Sequence, residues 1–134
     1  MADFALKIVT PDGIRFDGRA EQLTVRTTTG DVGILAGHIN YVAPLGMGQA
    51  SIVTGGVRRT GACIGGMLSM INNAATLHPS SFEWADQIDV DRAEKSQHRA
   101  EAVLRNKDSS AAELKLAEAR LRRALVRKST AANK

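Results

Sequence analysis

Apolar and polar residues alternate along the first part of the chain. Phe4, Leu6 and Ile8 interleave with Ala5, Lys7 and Val9, and Leu23 and Val25 with Thr24 and Arg26. Period-two alternation places one set of side chains on each face of a strand. Pro11-Asp12-Gly13 and Asp17-Gly18 punctuate the pattern, since Pro presets one turn dihedral and Gly accepts the other. Thr29-Gly30-Asp31, Gly55-Gly56 and Asn72-Asn73 are further turn candidates, and Ile52-Val53 and Met67 to Ile71 are further strand pieces. Turns at this spacing, with no helical period between them, predict an all-β sandwich or barrel up to about His78.

After Pro79-Ser80-Ser81 the pattern changes. From Asp91 onward Gly and Pro vanish and Ala, Glu, Arg, Lys and Leu dominate, all good helix formers. Ala93, Ala100 and Leu104 share one helical face, with Val103 beside it. Asn106-Lys107-Asp108-Ser109-Ser110 interrupts the helix, and Ser110 with Glu113 has capping-box spacing. Leu114, Ala117, Leu121 and Leu125 form a second apolar stripe. The expectation is therefore an α+β chain: a sandwich over residues 1–84, then an antiparallel two-helix hairpin over residues 85–134. The stripes are narrow and alanine-rich, so the hairpin buries little area and is held weakly.

Composition narrows the function classes. The chain has 134 residues, 43% hydrophobic and 24% charged, a soluble globular balance. No apolar run approaches the roughly 20 residues of a membrane span, and the first residues lack a signal- or transit-peptide layout. Cys63 is the single cysteine, which excludes an intrachain disulfide, and its apolar setting marks a core residue. The net charge of +4 is uneven: Arg120, Arg122, Arg123, Arg127, Lys128 and Lys134 close the chain with no acidic residue among them. Such a terminus attracts an anionic partner or complements its own helix dipole.

No catalytic constellation emerges. The phosphate-binding loop GxxxxGK[ST] is absent, His38, His78 and His98 share no ligand spacing, and no nucleophile is paired with a base. Neither a catalytic residue nor a metal site is expected. The basic arm leaves a nucleic-acid-binding module as an alternative, although Phe4, Phe16, Tyr41, Phe82 and Trp84 are scattered rather than grouped for base stacking.

Gly30-Asp31-Val32-Gly33-Ile34-Leu35-Ala36-Gly37-His38 resembles the G-[DE]-x-G-[IL]-L-x-G-H segment of the epsilon chain of F-type ATP synthases. Ile8-Val9-Thr10-Pro11, Gly65-Gly66-Met67-Leu68 with Asn72-Asn73, and Ile88-Asp89-Val90-Asp91-Arg92-Ala93 match further family segments in the same order. Thr28-Thr29-Gly30 stands where the family commonly has Leu-Pro-Gly, and Ala36 replaces a proline.

The resemblance implies a ten-strand sandwich with a helical hairpin, in a non-catalytic central-stalk subunit on the cytoplasmic face of a bacterial plasma membrane. Its implied partners are the gamma subunit, the c-subunit ring and, through the C-terminal helix, the alpha/beta catalytic head. Asp31 matches the c-ring contact and His38 the gamma contact; a turn residue and a satisfied loop histidine are the competing readings. Arg120, Arg122, Arg123, Arg127 and Lys128 match the cationic end that inhibits ATP hydrolysis from an extended hairpin, which would span roughly 60 Å over residues 89–128. Some relatives hold ATP in the folded hairpin as a regulatory ligand, no cofactor being required. Glu83, Ile88, Asp89, Arg92, Ala93, Arg99, Arg123 and Arg127 match that site. The competing reading makes Asp89 a helix cap and the arginines surface ion pairs.

Overall fold

A computed structural model describes residues 2–133. Ten strands come first: β1 (Phe4–Thr10), β2 (Gly13–Ala20), β3 (Gln22–Thr27), β4 (Gly30–Leu35), β5 (Tyr41–Pro44), β6 (Met47–Thr54), β7 (Val57–Ile64), β8 (Met67–Ile71), β9 (Ala74–His78) and β10 (Ser81–Trp84). A 3-10 turn (Ala85–Gln87) then leads to α1 (Val90–Arg105) and α2 (Ala111–Ala131). The expected sandwich and helical hairpin are both present.

The strands form two five-stranded sheets, ordered β2-β1-β9-β8-β5 and β10-β7-β6-β3-β4. Alternation decides what lies between them. Phe4, Leu6 and Ile8 point inward from the first sheet and meet Leu23, Val25 and Ile52 of the second, all almost fully buried. Burying each such side chain contributes about 2 kcal/mol, and this core carries the fold. Phe82 and Trp84 close it at the β10 edge, their rings edge-to-face at 4.9 Å.

The strand pattern runs past His78, to the end of the sandwich expected at residue 84. His78 ends β9, but Ser81–Trp84 adds one more strand, antiparallel to β7, with Phe82 opposite Cys63 and Trp84 opposite Gly61. Only four residues long, β10 shows too little alternation to stand out in the sequence. The turn expected at Thr29-Gly30-Asp31 falls one residue earlier, at Thr28-Thr29, so Gly30 and Asp31 begin β4. Thr27 tightens it, its hydroxyl donating to the Gly30 carbonyl at 2.8 Å and accepting from the Thr29 N–H.

The two sheets have different outer faces. On the second sheet the outward rows pair Glu83 with Ala62 and Gln49, and Thr60 with Ser51. Helix α2 packs across β6 and β7, and Ala62, Thr60 and Ser51 are buried beneath it. On the first sheet the rows pair Lys7 with Thr76, Ser69 and Val42, and Met67 with Pro44 and His78. Among the described residues no helix packs on that face: Val42, Met67 and Ile71 stand exposed, and the charges in the Lys7 row are Lys7 itself and Asp17 opposite it on β2.

The hairpin is built from small contacts. Asp89 caps α1, its carboxylate accepting from the Arg92 N–H at 3.1 Å. Ser110 and Glu113 form the full capping box of α2, and the hydrogen bonds from Ser110 hold the Glu113 carboxyl below its usual pKa. Ala93 and Ala100 of α1 and Ala117 and Ala124 of α2 are buried, so the backbones approach closely. Leu125, expected on the apolar stripe, is 44% exposed instead. Helix α2 has two neighbours, α1 and the sheet, and alanines occupy the contact lines toward both, leaving Leu125 outside them.

Gly66 has φ +93°, and a Cβ there would overlap the His78 carbonyl; Gly66→Ala should lower stability by about 2–4 kcal/mol in urea titrations. Burial pushes the Cys63 thiol up to about 12. The native thiol therefore stays protonated at pH 8, and its reaction with Ellman's reagent should proceed only at the rate of unfolding, rising steeply in denaturant.

Candidate functional site

Two cavities flank Arg127. The first, of about 490 Å³, opens between α1 and α2 and holds Arg99, Arg120, Arg123 and Arg127 with Glu113 as its one carboxylate. The second, of about 430 Å³, lies between the first turns of α1 and the sandwich. Glu83, Asp89, Arg92 and Ala93 line it, and Arg127 lines it from the other side. Ser96 and Arg127 belong to both, so the two form one cleft with two lobes. Each lobe has the volume of a small-molecule pocket.

Local structure explains how the residues arrive there. Glu83 sits on the outward face of β10, alternating with inward Phe82 and Trp84. Arg92, Ser96 and Arg99 recur at helical spacing on α1, as do Arg120, Arg123 and Arg127 on α2. The antiparallel pairing of the helices makes these rows face one another.

The electrostatics differ between the lobes. The interhelical lobe is strongly cationic, and Arg99, Arg120 and Arg123 have no carboxylate within 4.0 Å among the described residues. Arg127 is engaged, its Nε donating to Glu83 Oε1 at 2.7 Å across the hairpin–sandwich boundary. The sandwich-side lobe balances Glu83, Asp89 and Asp12 against Arg15, Arg92 and Arg127. Four guanidiniums with one carboxylate form a binding surface for a polyanion such as a phosphate chain. The mixed lobe offers acceptors and donors suited to a neutral polar group.

Seven of the eight residues matched to a nucleotide site therefore gather along this cleft. Ile88 is the exception: half-buried just before α1, it lines neither lobe. Sequence matching missed Ser96, and it assigned Arg120 only to an inhibitory role. Helical spacing from Arg92 and Arg123 signals both. It also missed Asp12 and Arg15, which no local signal links to the helices.

The other matched residues lie elsewhere. Asp31, on β4, is exposed and accepts from Arg26 Nε at 3.0 Å, a bond that raises the Arg26 pKa. His38 is half-buried, its Nδ1 2.8 Å from the Ile39 carbonyl and its ring edge-on to Tyr41 at 6.0 Å. Arg122 points away from the cleft toward the β3–β4 turn. Lys128 is tied to α1, its Nζ donating to Gln97 Oε1 at 2.8 Å, with Glu94 at 3.8 Å. Among the described residues no three His, Cys, Asp or Glu side chains converge as metal ligands, and no helix is long and apolar enough to cross a membrane.

The tip of α2 is fastened by polar contacts. The Thr60 hydroxyl donates to the Asn133 carbonyl at 3.2 Å, and Asn133 Nδ2 donates to Gln49 Oε1 at 3.0 Å. Phe16, Phe82 and Trp84 cluster at the β10 edge, with Arg59 stacked 3.7 Å over the Trp84 ring. These rings fill space inside the sandwich instead of forming an open stacking platform.

Residues 3–85 match the family model described as ATP synthase, Delta/Epsilon chain, beta-sandwich domain. Residues 86–132 match the ATP synthase, Delta/Epsilon chain, long alpha-helix domain. The ATP synthase epsilon chain of Ruminococcus albus is 43% identical over the whole of both chains. That of Bacillus velezensis is 38% identical over 99% of this chain and all of its own. A chain of the Euglena gracilis mitochondrial ATP synthase superposes with a TM-score of 0.84 at 22% identity, covering 100% of this chain and 83% of that one. A chain from the central stalk and c-ring of the Tetrahymena thermophila mitochondrial enzyme gives 0.66 at 12% identity, covering 95% of each. With both of its halves matched end to end and bacterial epsilon chains alike along its full length, this chain belongs to the ATP synthase delta/epsilon chain family.

Proposed function

We propose that this chain is the adaptor of a bacterial F-type rotary motor, a non-catalytic subunit that links the gamma subunit to the c-subunit ring and regulates ATP hydrolysis through its hairpin. Within the assembled complex it lies on the cytoplasmic face of the plasma membrane. The observation that carries the reading is the unequal treatment of the two sheets. One is covered by the chain's own helices; the other presents Val42, Met67 and Ile71 uncovered, a patch that calls for a partner. His38 and Tyr41 adjoin it at the start of β5, so gamma docks there. Asp31 meets the polar loops of the c-ring by exchanging Arg26 for a partner's donors.

The cleft around Arg127 holds ATP as a regulatory ligand. The triphosphate lies in the interhelical lobe against Arg99, Arg120, Arg123 and Arg127. The nucleoside lies in the sandwich-side lobe near Glu83, Asp89, Arg92 and Ala93, with Ile88 supporting the wall from behind. In the extended hairpin, Arg120, Arg122, Arg123, Arg127 and Lys128 face acidic loops of the catalytic head instead. ATP and the head thus compete for the same cations, and each favours its own hairpin state.

Saturating ATP at a hundredfold over Kd should stabilise the purified chain by about 2.7 kcal/mol, raising Tm by several degrees. Arg123→Ala and Arg92→Ala should lose most of that shift in differential scanning calorimetry. A wild-type melt unmoved by millimolar ATP removes the nucleotide site. On the other sheet, the double substitution Val42→Glu, Met67→Glu should leave the Tm of the free chain within about 2 °C and cut its retention in the purified ATP synthase about tenfold, the scale of a 1.4 kcal/mol loss. Full retention would place the gamma contact elsewhere.

A further inference from the structure

Building on the nucleotide reading above, we propose that the sandwich itself supplies one wall of the nucleotide site, through Asp12 of the β1–β2 turn and Arg15 at the start of β2. Both residues line the sandwich-side lobe opposite Asp89 and Arg92 of α1. Both are exposed, and neither has an oppositely charged partner within 4.0 Å among the described residues. Their charges are available to an occupant.

The turn that carries Asp12 is braced. The Asp12 N–H donates to Thr10 Oγ1 at 3.2 Å, and the Thr10 hydroxyl donates to the Gly13 carbonyl at 3.1 Å. Thr10 itself is buried. Arg15 is anchored from the second sheet: the Trp84 indole N–H donates to the Arg15 carbonyl at 3.2 Å, and Phe16 packs edge-on against the same ring at 6.4 Å. Trp84 is the immediate neighbour of Glu83, the acceptor for Arg127. One strand end therefore positions the turn, the acidic wall and the α2 cation together, and a group held between them meets a fixed surface.

The division of charge assigns the roles. Phosphates go to the lobe of four arginines, which leaves the nucleoside beside the turn. The Asp12 carboxylate accepts hydrogen bonds from the ribose hydroxyls. The planar Arg15 guanidinium lies against the base. The complete site exists only while the hairpin is docked on the sandwich, because two helices paired in isolation lack this wall. Nucleotide binding then stabilises docking as well as helix pairing.

Equilibrium binding of ATP, 2′,3′-dideoxy-ATP and inorganic tripolyphosphate to the full chain tests this, with native folding of each variant checked by its melt without ligand. Asp12→Ala should raise the Kd for ATP about tenfold and leave that for dideoxy-ATP within about twofold of wild type. Arg15→Ala should weaken both nucleotides by about fivefold and leave tripolyphosphate unchanged. Arg123→Ala should weaken all three. If Asp12→Ala and Arg15→Ala bind all three ligands as wild type does while Arg123→Ala loses them, the sandwich wall is wrong and the arginine lobe stands. If the wild-type chain binds no nucleotide, the nucleotide reading falls and this wall with it.

Discussion

Arg127 is the side chain on which the docked hairpin turns. It sits at the junction of both lobes, faces Arg123 one turn away on its own helix, and reaches across to Glu83 on β10. The ion pair is partly exposed and worth about 1 kcal/mol. That modest value matters: a stronger buried pair would fix the hairpin, and none at all would let the repelling arginines drive the helices away from one another. An anion entering the cleft relieves that repulsion directly.

The surrounding contacts have the same moderate strength. Alanines at the helix–helix and helix–sheet lines permit close approach but bury little apolar area. Thr60, Gln49 and Asn133 add hydrogen bonds that water replaces at small net cost. The inter-sheet core, with Phe4, Leu6, Ile8, Leu23 and Ile52 almost fully buried, contains no comparable weakness. Stability is concentrated in the sandwich and marginality in the hairpin, which is the distribution that the proposed function, with one fixed and one moving part, requires.

Much of this was legible in the residues. Alternation at Phe4–Ile8 and Leu23–Val25, the Gly55-Gly56 and Asn72-Asn73 turns, and the Ser110–Glu113 box specify local structure through local chemistry and appear as read, whereas Asp17-Gly18, expected as a turn, runs on inside β2 because pairing with Lys7 and Leu6 of β1 holds it extended. What escaped depends on tertiary neighbours. The four-residue β10 shows too few alternations to declare itself, and pairing with β7 makes it a strand. Leu125 belongs to an apolar stripe only if α2 has one neighbour; with two, alanines take the contacts. The cleft was half legible, because helical spacing gathers arginines on one face. The β1–β2 turn sits about 70 residues from Trp84 in sequence, and only folding brings it to the helices.

The surface beneath α2 carries a further implication. Its central rows are Gln49, Ser51, Thr60 and Glu83 with Ala62, and the apolar pair Met47 and Ile64 is confined to one end. A helix that lifted from a greasy face would leave a sticky scar, prone to self-association and slow to re-close. Here departure uncovers mostly hydroxyls, an amide and a carboxylate that wet readily. A hairpin working as proposed is thereby reusable: each release leaves a clean seat to which the same segment can return.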